Sequence, residues 1–485
     1  MNKEQKIIVR IGSLEYEQLE RLLFSRYPDK EWATFLRFGW RESSDALVFT
    51  SVGIDPPESG DMDERVGHVK ILEPYTLRVA LAAESHPFAI GVAHSHPEDY
   101  GPHPSGIDDD MDSYYSEYFA GFTHERPYLS LIVSKVDGQI VMSGRVFDKN
   151  RCKIVDRFIV ERTPVQTWPK TGVGPSSMDH GRTARLTAAF GEEASARLRV
   201  ATVAVIGAGG TGSMAIEVLA RAGVGNLIIV DPDYITESNL ERVHGSQPAH
   251  VAQGTPKVLI AREHALSINP ECEIKAYLAA LPQKEVVDAV VTADVAIGCT
   301  DQQHSRLALS DLCTRYLVPV IDCGVMLEGA EGAVTGQIIQ LVRFLSTDPC
   351  ALCRDMIIPQ RLAQELMSED EKAERRAAAE RAIKRGEDPD PYWQGVPQLN
   401  TVGYLTGAAG ALAAAYAIGW ISGRFDPPFA RLQMNIVEKC FDVQEVIMSP
   451  KHQCACSRVR GWADQGAADA FISPPPHWSP AKVLA

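Results

Sequence analysis

Positive charge is scarce in this chain. Its 48 lysines and arginines stand against 63 aspartates and glutamates, a formal net charge of -15. That deficit argues against a nonspecific nucleic-acid binder, which needs a basic face. The opening MNKEQKIIVRIGSLEYEQLERLL lacks the apolar stretch of a signal peptide. Long hydrophobic runs are missing too. The nearest, YLTGAAGALAAAYAIGW at 404–420, is rich in glycine and alanine and falls short of the ~20 residues a membrane span needs. It reads as a buried helix or an oligomer interface, so no membrane is expected. Ten cysteines without a secretion signal point to a reducing, cytoplasmic setting, with metal or catalytic roles rather than disulfides. No internal repeat is visible.

What the chain does have is size and ordinary globular composition. Its 485 residues, 45% hydrophobic and 23% charged, suit about two to four domains with full cores. Residues 1–160 mix short strand-like runs with one helix at 14–26. They end in LSLIVSKVDGQIVMSGRVF, whose alternating runs around Asp137-Gly138 predict a hairpin. The Pro/Gly/Ser-rich stretch 161–181 predicts a linker. From 182 to about 460 the order strand, Gly-rich turn, helix, strand predicts a parallel α/β sheet. Within it, 367–390 is a charged helical insertion, read as a solvated helix or mobile lid. The tail, 461–485, ends in ISPPPHWSPAKVLA and predicts disorder.

Two stretches carry chemistry. In AIGVAHSHPEDYGPHPSGIDDDM (89–111), an apolar strand delivers His94 and His96 to one face, because alternate side chains of a strand share a face. Two imidazoles on one element make two corners of a zinc site, and Asp108, Asp109 or Asp110 offers a third. The other is RVATVAVIGAGGTGSMAIEVLARAGVGNLIIVDPD, a βαβ unit with G-x-G-G-x-G at Gly207, Gly209, Gly210 and Gly212. Its second strand ends in Asp231, nineteen residues past Gly212, where an acid can hold a ribose hydroxyl. The glycines let backbone approach phosphates, and the helix N-terminus favours their charge.

HSHPEDYGPHPSGIDD resembles the JAMM motif of the JAB/MPN metalloproteases. That resemblance implies a cytidine-deaminase-like α/β domain that cleaves after the C-termini of ubiquitin-like proteins. It makes His94, His96 and Asp108 the ligands of a catalytic zinc, and Ser105 an oxyanion-type donor. The gap from His96 to Asp108 is one residue longer than the family's, and strict counting lands on Ile107, which cannot bind zinc. An extra residue in the Pro/Gly loop explains the difference. The implied general base is Glu31, ahead of an apolar run ending in Phe38-Gly39, with Glu42 and Glu84 as rivals.

The second half, with DPDYITESNLERVHG, GTPK, GCTD and two cysteine pairs, looks like the ThiF/MoeB-type activating enzymes, relatives of the ubiquitin-activating enzymes. The resemblance implies a Rossmann-like adenylation domain with a mixed sheet. Asp231 would bind ribose, Asn239, Arg242 and Lys257 the ATP phosphates, and Asp301 magnesium, with Asp233 assisting. Arg185, in RTARL, would reach a partner subunit's ATP in a homodimer. Cys350, Cys353, Cys454 and Cys456 would hold a structural zinc, although the second pair is C-x-C and His452 is an alternative ligand. Between Cys353 and Cys440 there is no cysteine, so the thioester nucleophile of conjugating relatives is missing. Cys440, Cys299 and Cys323 read as packed small hydrophobes.

The two resemblances together imply processing and activation of a ubiquitin-like protein: zinc-dependent cleavage after its C-terminus and ATP-dependent adenylation of its terminal glycine. Such fusions resemble components of bacterial ubiquitin-like operons, some antiviral, where a conjugating-like enzyme would be the partner. The alternative is sulfur-carrier activation to a thiocarboxylate, with a sulfurtransferase as partner. A non-catalytic scaffold binding such tails is the remaining reading.

Overall fold

In the computed structural model, the described residues are 5–26, 30–63, 70–97, 100–124, 126–148, 151–167, 181–330, 332–393, 401–438, 440–445, 450–451, 453–466 and 473–484. Most of the expected linker, and His452, lie outside them.

The first unit begins with β1 (Lys6–Ile11), α1 (Ser13–Leu23), β2 (Ala33–Glu42), β3 (Ala46–Asp55), α2 (Glu73–Glu84) and β4 (Ala89–Ser95). It continues with α3 (Gly106–Thr123), β5 (Tyr128–Val136), β6 (Gln139–Asp148), β7 (Arg151–Ile154), β8 (Arg157–Val160) and β9 (Gln166–Thr167). The strands form one mixed sheet in the order β7-β6-β5-β4-β2-β3-β1-β8, with β9 on β6. The β5–β6 hairpin turns at Asp137 and Gly138, both with positive φ, as a tight two-residue turn requires. β4 is buried along its whole length, which its apolar run AIGVA anticipates.

The second unit begins with α4 (Ala184–Phe190), α5 (Glu192–Val200), β10 (Thr202–Ile206), α6 (Gly210–Arg221) and β11 (Asn226–Val230). There follow α7 (Pro248–Gln253), α8 (Lys257–Ile268), β12 (Glu273–Leu278), α9 (Lys284–Val290), β13 (Val295–Gly298) and α10 (Gln303–Tyr316). The chain closes with β14 (Val320–Ala330), β15 (Ala333–Phe344), α11 (Pro359–Leu366), α12 (Glu369–Arg385), α13 (Gly403–Ser422), β16 (Arg431–Asn435), β17 (Cys440–Gln444) and β18 (Lys482–Leu484). Its sheet runs β17-β16-β15-β14-β13-β10-β11-β12-β18. The run from β14 to β12 is parallel and both flanks are antiparallel, a mixed Rossmann-like sheet. The Gly/Ala-rich segment is α13, long and apolar enough to cross a membrane but mostly buried in this core. Its small side chains allow the close approach to α6 that Gly410 shows: a Cβ there would lie 2.2 Å from the Thr211 carbonyl oxygen.

The expectation of a disordered tail is corrected. Residues 482–484 add an antiparallel edge strand to β12, and Trp462 packs so closely on β2 that a Cβ on Gly39 would meet its carbonyl oxygen at 2.4 Å. Backbone hydrogen bonds from an edge strand pair with little demand on side-chain type, so the polar, Pro-rich composition misleads there.

The two sheets are joined by a shared core in which Ile8, Val48 and Ile159 pack with Tyr277, Leu312 and Tyr316. Arg10, fully buried, crosses this junction. Its guanidinium donates to the carbonyls of Ala293 at 2.7 Å and Leu317 at 2.8 Å. These carbonyls lie at the C-terminal ends of α9 and α10, where the helix dipole favours a cation.

Candidate functional sites

The first site sits where β4 ends. His94 and His96 project together, with Nε2 atoms 3.2 Å apart, and the Asp108 carboxylate reaches 3.0 Å from His94 Nε2 and 3.6 Å from His96 Nε2. All three residues are buried. In a tetrahedron of N and O ligands around zinc, ligand atoms stand roughly 3.3 Å apart, so this donor set fits that ion. Asp108 gets there because α3 starts at Gly106. Ser105 caps the helix: its Oγ accepts from Asp108 N–H at 3.3 Å while its own N–H donates to Asp108 Oδ2 at 2.6 Å. Ile107 points outward and is 58% exposed. Asp109 turns to an ion pair with Arg145, away from the histidines.

Charge distribution in this cluster is set by competition. Burial pushes the Asp108 carboxyl up, but the adjacent imidazoles of His94 and His96 outweigh it and hold the group well below the usual carboxylate range. For His96, burial lowers the pKa, while Asp108, the Gly101 carbonyl and the charge of Glu31 raise it above its ordinary value. His96 Nδ1 lies 3.0 Å from the Gly101 oxygen, which fixes Nδ1 as donor and frees Nε2 for a metal.

Glu31 is placed by sheet register. Ala33 pairs with His94 across antiparallel β2 and β4, so stepping past the ladder sets Glu31 opposite His96. Glu42 closes the far end of β2, ~30 Å along the strand. Glu84 ends α2, on the side where β4 begins rather than where it delivers the histidines. Sequence reading missed Asp112, buried one turn beyond Asp108 on the same helix face and ion-paired with Arg145. His94 Nδ1, also buried, has no hydrogen-bond partner among the described residues. The i, i+4 spacing of Asp108 and Asp112 was the available signal.

The second site lies at the C-terminal ends of β10 and β11. Gly207 has φ +101°, and a Cβ there would meet the Cys299 carbonyl oxygen at 2.6 Å. Gly212 packs harder still, its hypothetical Cβ 1.7 Å from Gly207 O. Gly209 differs: at the N-cap of α6, with ordinary φ, a Cβ would meet nothing within 4 Å. Packing therefore does not require glycine at 209, whereas a phosphate cradled by the α6 N-terminus does. Arg242 borders this loop, its Cβ 3.2 Å from where a Cβ on Gly210 would sit.

Asp231 is buried and anchors the loop: Oδ2 accepts from Ala208 N–H at 2.7 Å and Oδ1 from Asp233 N–H at 2.8 Å. Burial pushes its carboxyl up to about 6, against the pull of Lys257. Lys257 Nζ donates to Asp233 Oδ2 at 2.8 Å. Asn239 caps its own 3-10 turn, its Oδ1 accepting from Thr236 N–H at 3.2 Å. Asp301 is exposed, with Arg361 Nη2 4.0 Å from its carboxylate. Arg185 is exposed on α4. Burial drives the Cys299 and Cys323 thiols well above their ordinary range, which suits packed cysteines rather than nucleophiles.

The four cysteines converge. Cys350 and Cys454 sulfurs lie 3.6 Å apart and Cys353 and Cys456 sulfurs 3.7 Å apart. Edges of a zinc–thiolate tetrahedron are ~3.8 Å, whereas a disulfide brings sulfurs to ~2.05 Å. The C-x-C spacing is accommodated by a 3-10 turn at Ala455–Ser457, and Lys451 N–H donates to Cys353 Sγ at 3.2 Å.

The family model described as the ThiF family matches residues 180–457. The adenylyltransferase and sulfurtransferase UBA4 of Eremothecium gossypii is 34% identical over 166 residues, 34% of this chain and 35% of that protein. The SAMP-activating enzyme E1 of Haloferax volcanii is 33% identical over 165 residues, 34% of this chain and 56% of that protein. The molybdopterin-synthase adenylyltransferase of Escherichia coli is 34% identical over 163 residues, 34% of this chain and 61% of that protein. The matched stretch thus spans between about a third and three fifths of these relatives.

Proposed function

This chain belongs to the ThiF family, and from that premise we propose that its second unit is an adenylyltransferase that activates the C-terminal carboxylate of a ubiquitin-like or sulfur-carrier protein. The observation that carries this is Gly209, a glycine that packing does not require, at a helix N-terminus where Asp231 accepts from Ala208 N–H, Arg242 borders Gly210 and Lys257 pairs with Asp233. The carrier's carboxylate oxygen attacks the α-phosphorus of ATP, a P–O bond forms, and the bond to the β-phosphate breaks to release pyrophosphate. The α6 backbone and the cations Arg242 and Lys257 offset charge on the phosphates, Asp231 takes the ribose hydroxyls, and Asp301 would hold magnesium. Catalysis of this kind is positioning and electrostatics, which such a rigid loop supplies.

Sulfur-carrier chemistry is the reading we favour over conjugation. The segment between Cys353 and Cys440 contains no cysteine for a thioester, Cys323 is buried and Cys299 half-buried, and both thiols are held well above their ordinary range. Two of the relatives carry names that speak of sulfurtransferase or molybdopterin synthase. A sulfurtransferase acting separately would then be the partner, in a cytoplasmic homodimer where exposed Arg185 approaches the neighbouring subunit's nucleotide.

For the first unit we propose a zinc peptidase of the JAMM type acting on the same C-terminal peptide. His94, His96 and Asp108 would hold the metal. Zinc, when bound, supplies Lewis-acid activation of water and of the scissile carbonyl. Glu31, opposite His96, takes the proton from the attacking water and passes it to the leaving amine. Ser105, whose oxygen already accepts from a backbone N–H, retains its hydroxyl hydrogen to donate to the developing oxyanion. The four-cysteine cluster suits a structural zinc. The test of the adenylation reading is ATP–pyrophosphate exchange with candidate carrier proteins, in wild type and Lys257→Ala. Exchange that needs no carrier, or that survives Lys257→Ala undiminished, would sink it.

A further inference from the structure

We infer that the C-terminal segment 473–484 forms one wall of the compartment that takes the nucleotide's purine base, and that Trp478 is the surface on which that base stacks. The inference rests on the nucleotide reading above. Strands β10, β11 and β12 lie side by side in that order. The glycine cradle follows β10, Asp231 follows β11, and the loop after β12 opens on a cavity of about 500 Å³ bordered by Pro232, Leu278 and Trp478. Phosphates, ribose and base thus fall at three successive strand ends, and the cavity is where the base must go. Its size suits a ligand of that class.

Trp478 is held there by the residues that follow it and by the ring it packs on. Downstream, β18 pairs with β12 in a register that sets Lys482 opposite Leu278. Next to the indole, Gln283 Nε2 donates to the Ser479 carbonyl at 2.6 Å. The indole meets the His304 ring edge to face, centroids 5.0 Å apart. His304 is itself fixed, its Nδ1 3.0 Å from Glu365 Oε2, whose carboxylate also accepts from the N–H groups of Gln303 and His304 at the start of α10. With Nδ1–H donating to Glu365, the neutral ring offers His304 Nε2 as an acceptor, buried in the cavity wall and unpartnered among the described residues. An aromatic plane beside an unused acceptor suits a purine bearing an exocyclic amine. Tail residues so anchored are a fixed wall rather than a passing loop.

The test uses the full chain and calorimetric binding of ATP and of inorganic tripolyphosphate, which shares the phosphate contacts but has no base. Loss of the stacking plane in Trp478→Ala should weaken ATP about tenfold and leave tripolyphosphate unchanged, while Trp478→Phe stays close to wild type. The unchanged tripolyphosphate affinity also reports that the variant is folded. If Trp478→Ala binds ATP as wild type does, or weakens both ligands equally, the base-wall inference is wrong although the nucleotide reading stands. If the wild type binds neither ligand, both fall.

Discussion

Replacing Gly209 and Gly212 separately with alanine sets two kinds of glycine against each other in one loop. At 209 the new methyl enters open space with φ at -74°, so stability should change by less than about 0.5 kcal/mol. On the proposed cradle, the same methyl would stand between the phosphates and the α6 N–H groups. Displacing even one charge-assisted hydrogen bond to phosphate costs ~1.5–3 kcal/mol, or roughly ten- to a hundredfold in ATP affinity. At 212 the order reverses. The methyl would sit 1.7 Å from Gly207 O, a backbone atom that cannot rotate away. Overpacking of that kind costs about 3 kcal/mol, enough to lower the unfolding midpoint of a unit this large by roughly 3–5 °C. Thermal unfolding and ATP calorimetry on both variants read the two effects apart. A Gly209→Ala protein that binds ATP like wild type would refute the cradle, and a Gly212→Ala protein as stable as wild type would refute the packing argument.

Glu31→Gln should keep metal in the first site yet lower peptide cleavage by about a hundredfold or more, whereas Glu42→Gln should leave cleavage unchanged; mass spectrometry of a carrier precursor reads both. Elemental analysis should find roughly two zinc ions per chain, falling to about one in His96→Ala and likewise in Cys353→Ser, with lost thermal stability in the cysteine variant. Asp231, its carboxyl raised to about 6 by burial, binds its proton more tightly folded than unfolded. In the nucleotide-free protein it therefore disfavours folding increasingly as pH rises from about 4 to about 6, by ~3 kcal/mol in total, and Asp231→Asn should remove that fall from denaturant midpoints measured across the window.

Local chemistry was legible in the sequence wherever spacing alone decides it. His94 and His96 share a face because strands repeat every two residues, and the glycine loop with Asp231 is a βαβ pattern contained within thirty-odd residues. Asp108 needed one more step, the realisation that a loop between Pro97 and Ser105 absorbs a residue while the Ser105 cap fixes the helix start. Glu31 lies sixty-three residues from His94, and only the β2–β4 register brings it to the histidines. Asp112 was hidden in a run of acids, because which of them turns inward depends on where α3 begins. The tail was misread for a different reason. Pro and polar residues signal disorder when a segment must bury its own side chains, but β18 joins through backbone hydrogen bonds to an edge that β12 already offers.

The junction between the units bears on how the two sites act together. Each site lies at the C-terminal ends of its strands, whereas the apolar core shared by the units is made by β1, β3 and β8 of one sheet against α9, α10 and β12 of the other. A fully buried guanidinium is tolerated only because Arg10 satisfies carbonyls at two helix ends at once. Separating the units would strip Arg10 of those partners and return Val48 and Tyr277 to water. Arg41 adds an ion pair to Asp288 at 2.7 Å, and Arg157 one to Asp294 at 2.8 Å. A hinge motion that carried one site to the other would break all of these together. On the function proposed above, the cheaper route is for the substrate to move: the C-terminal tail of the carrier protein would be the flexible partner, visiting each unit while the two units stay fixed.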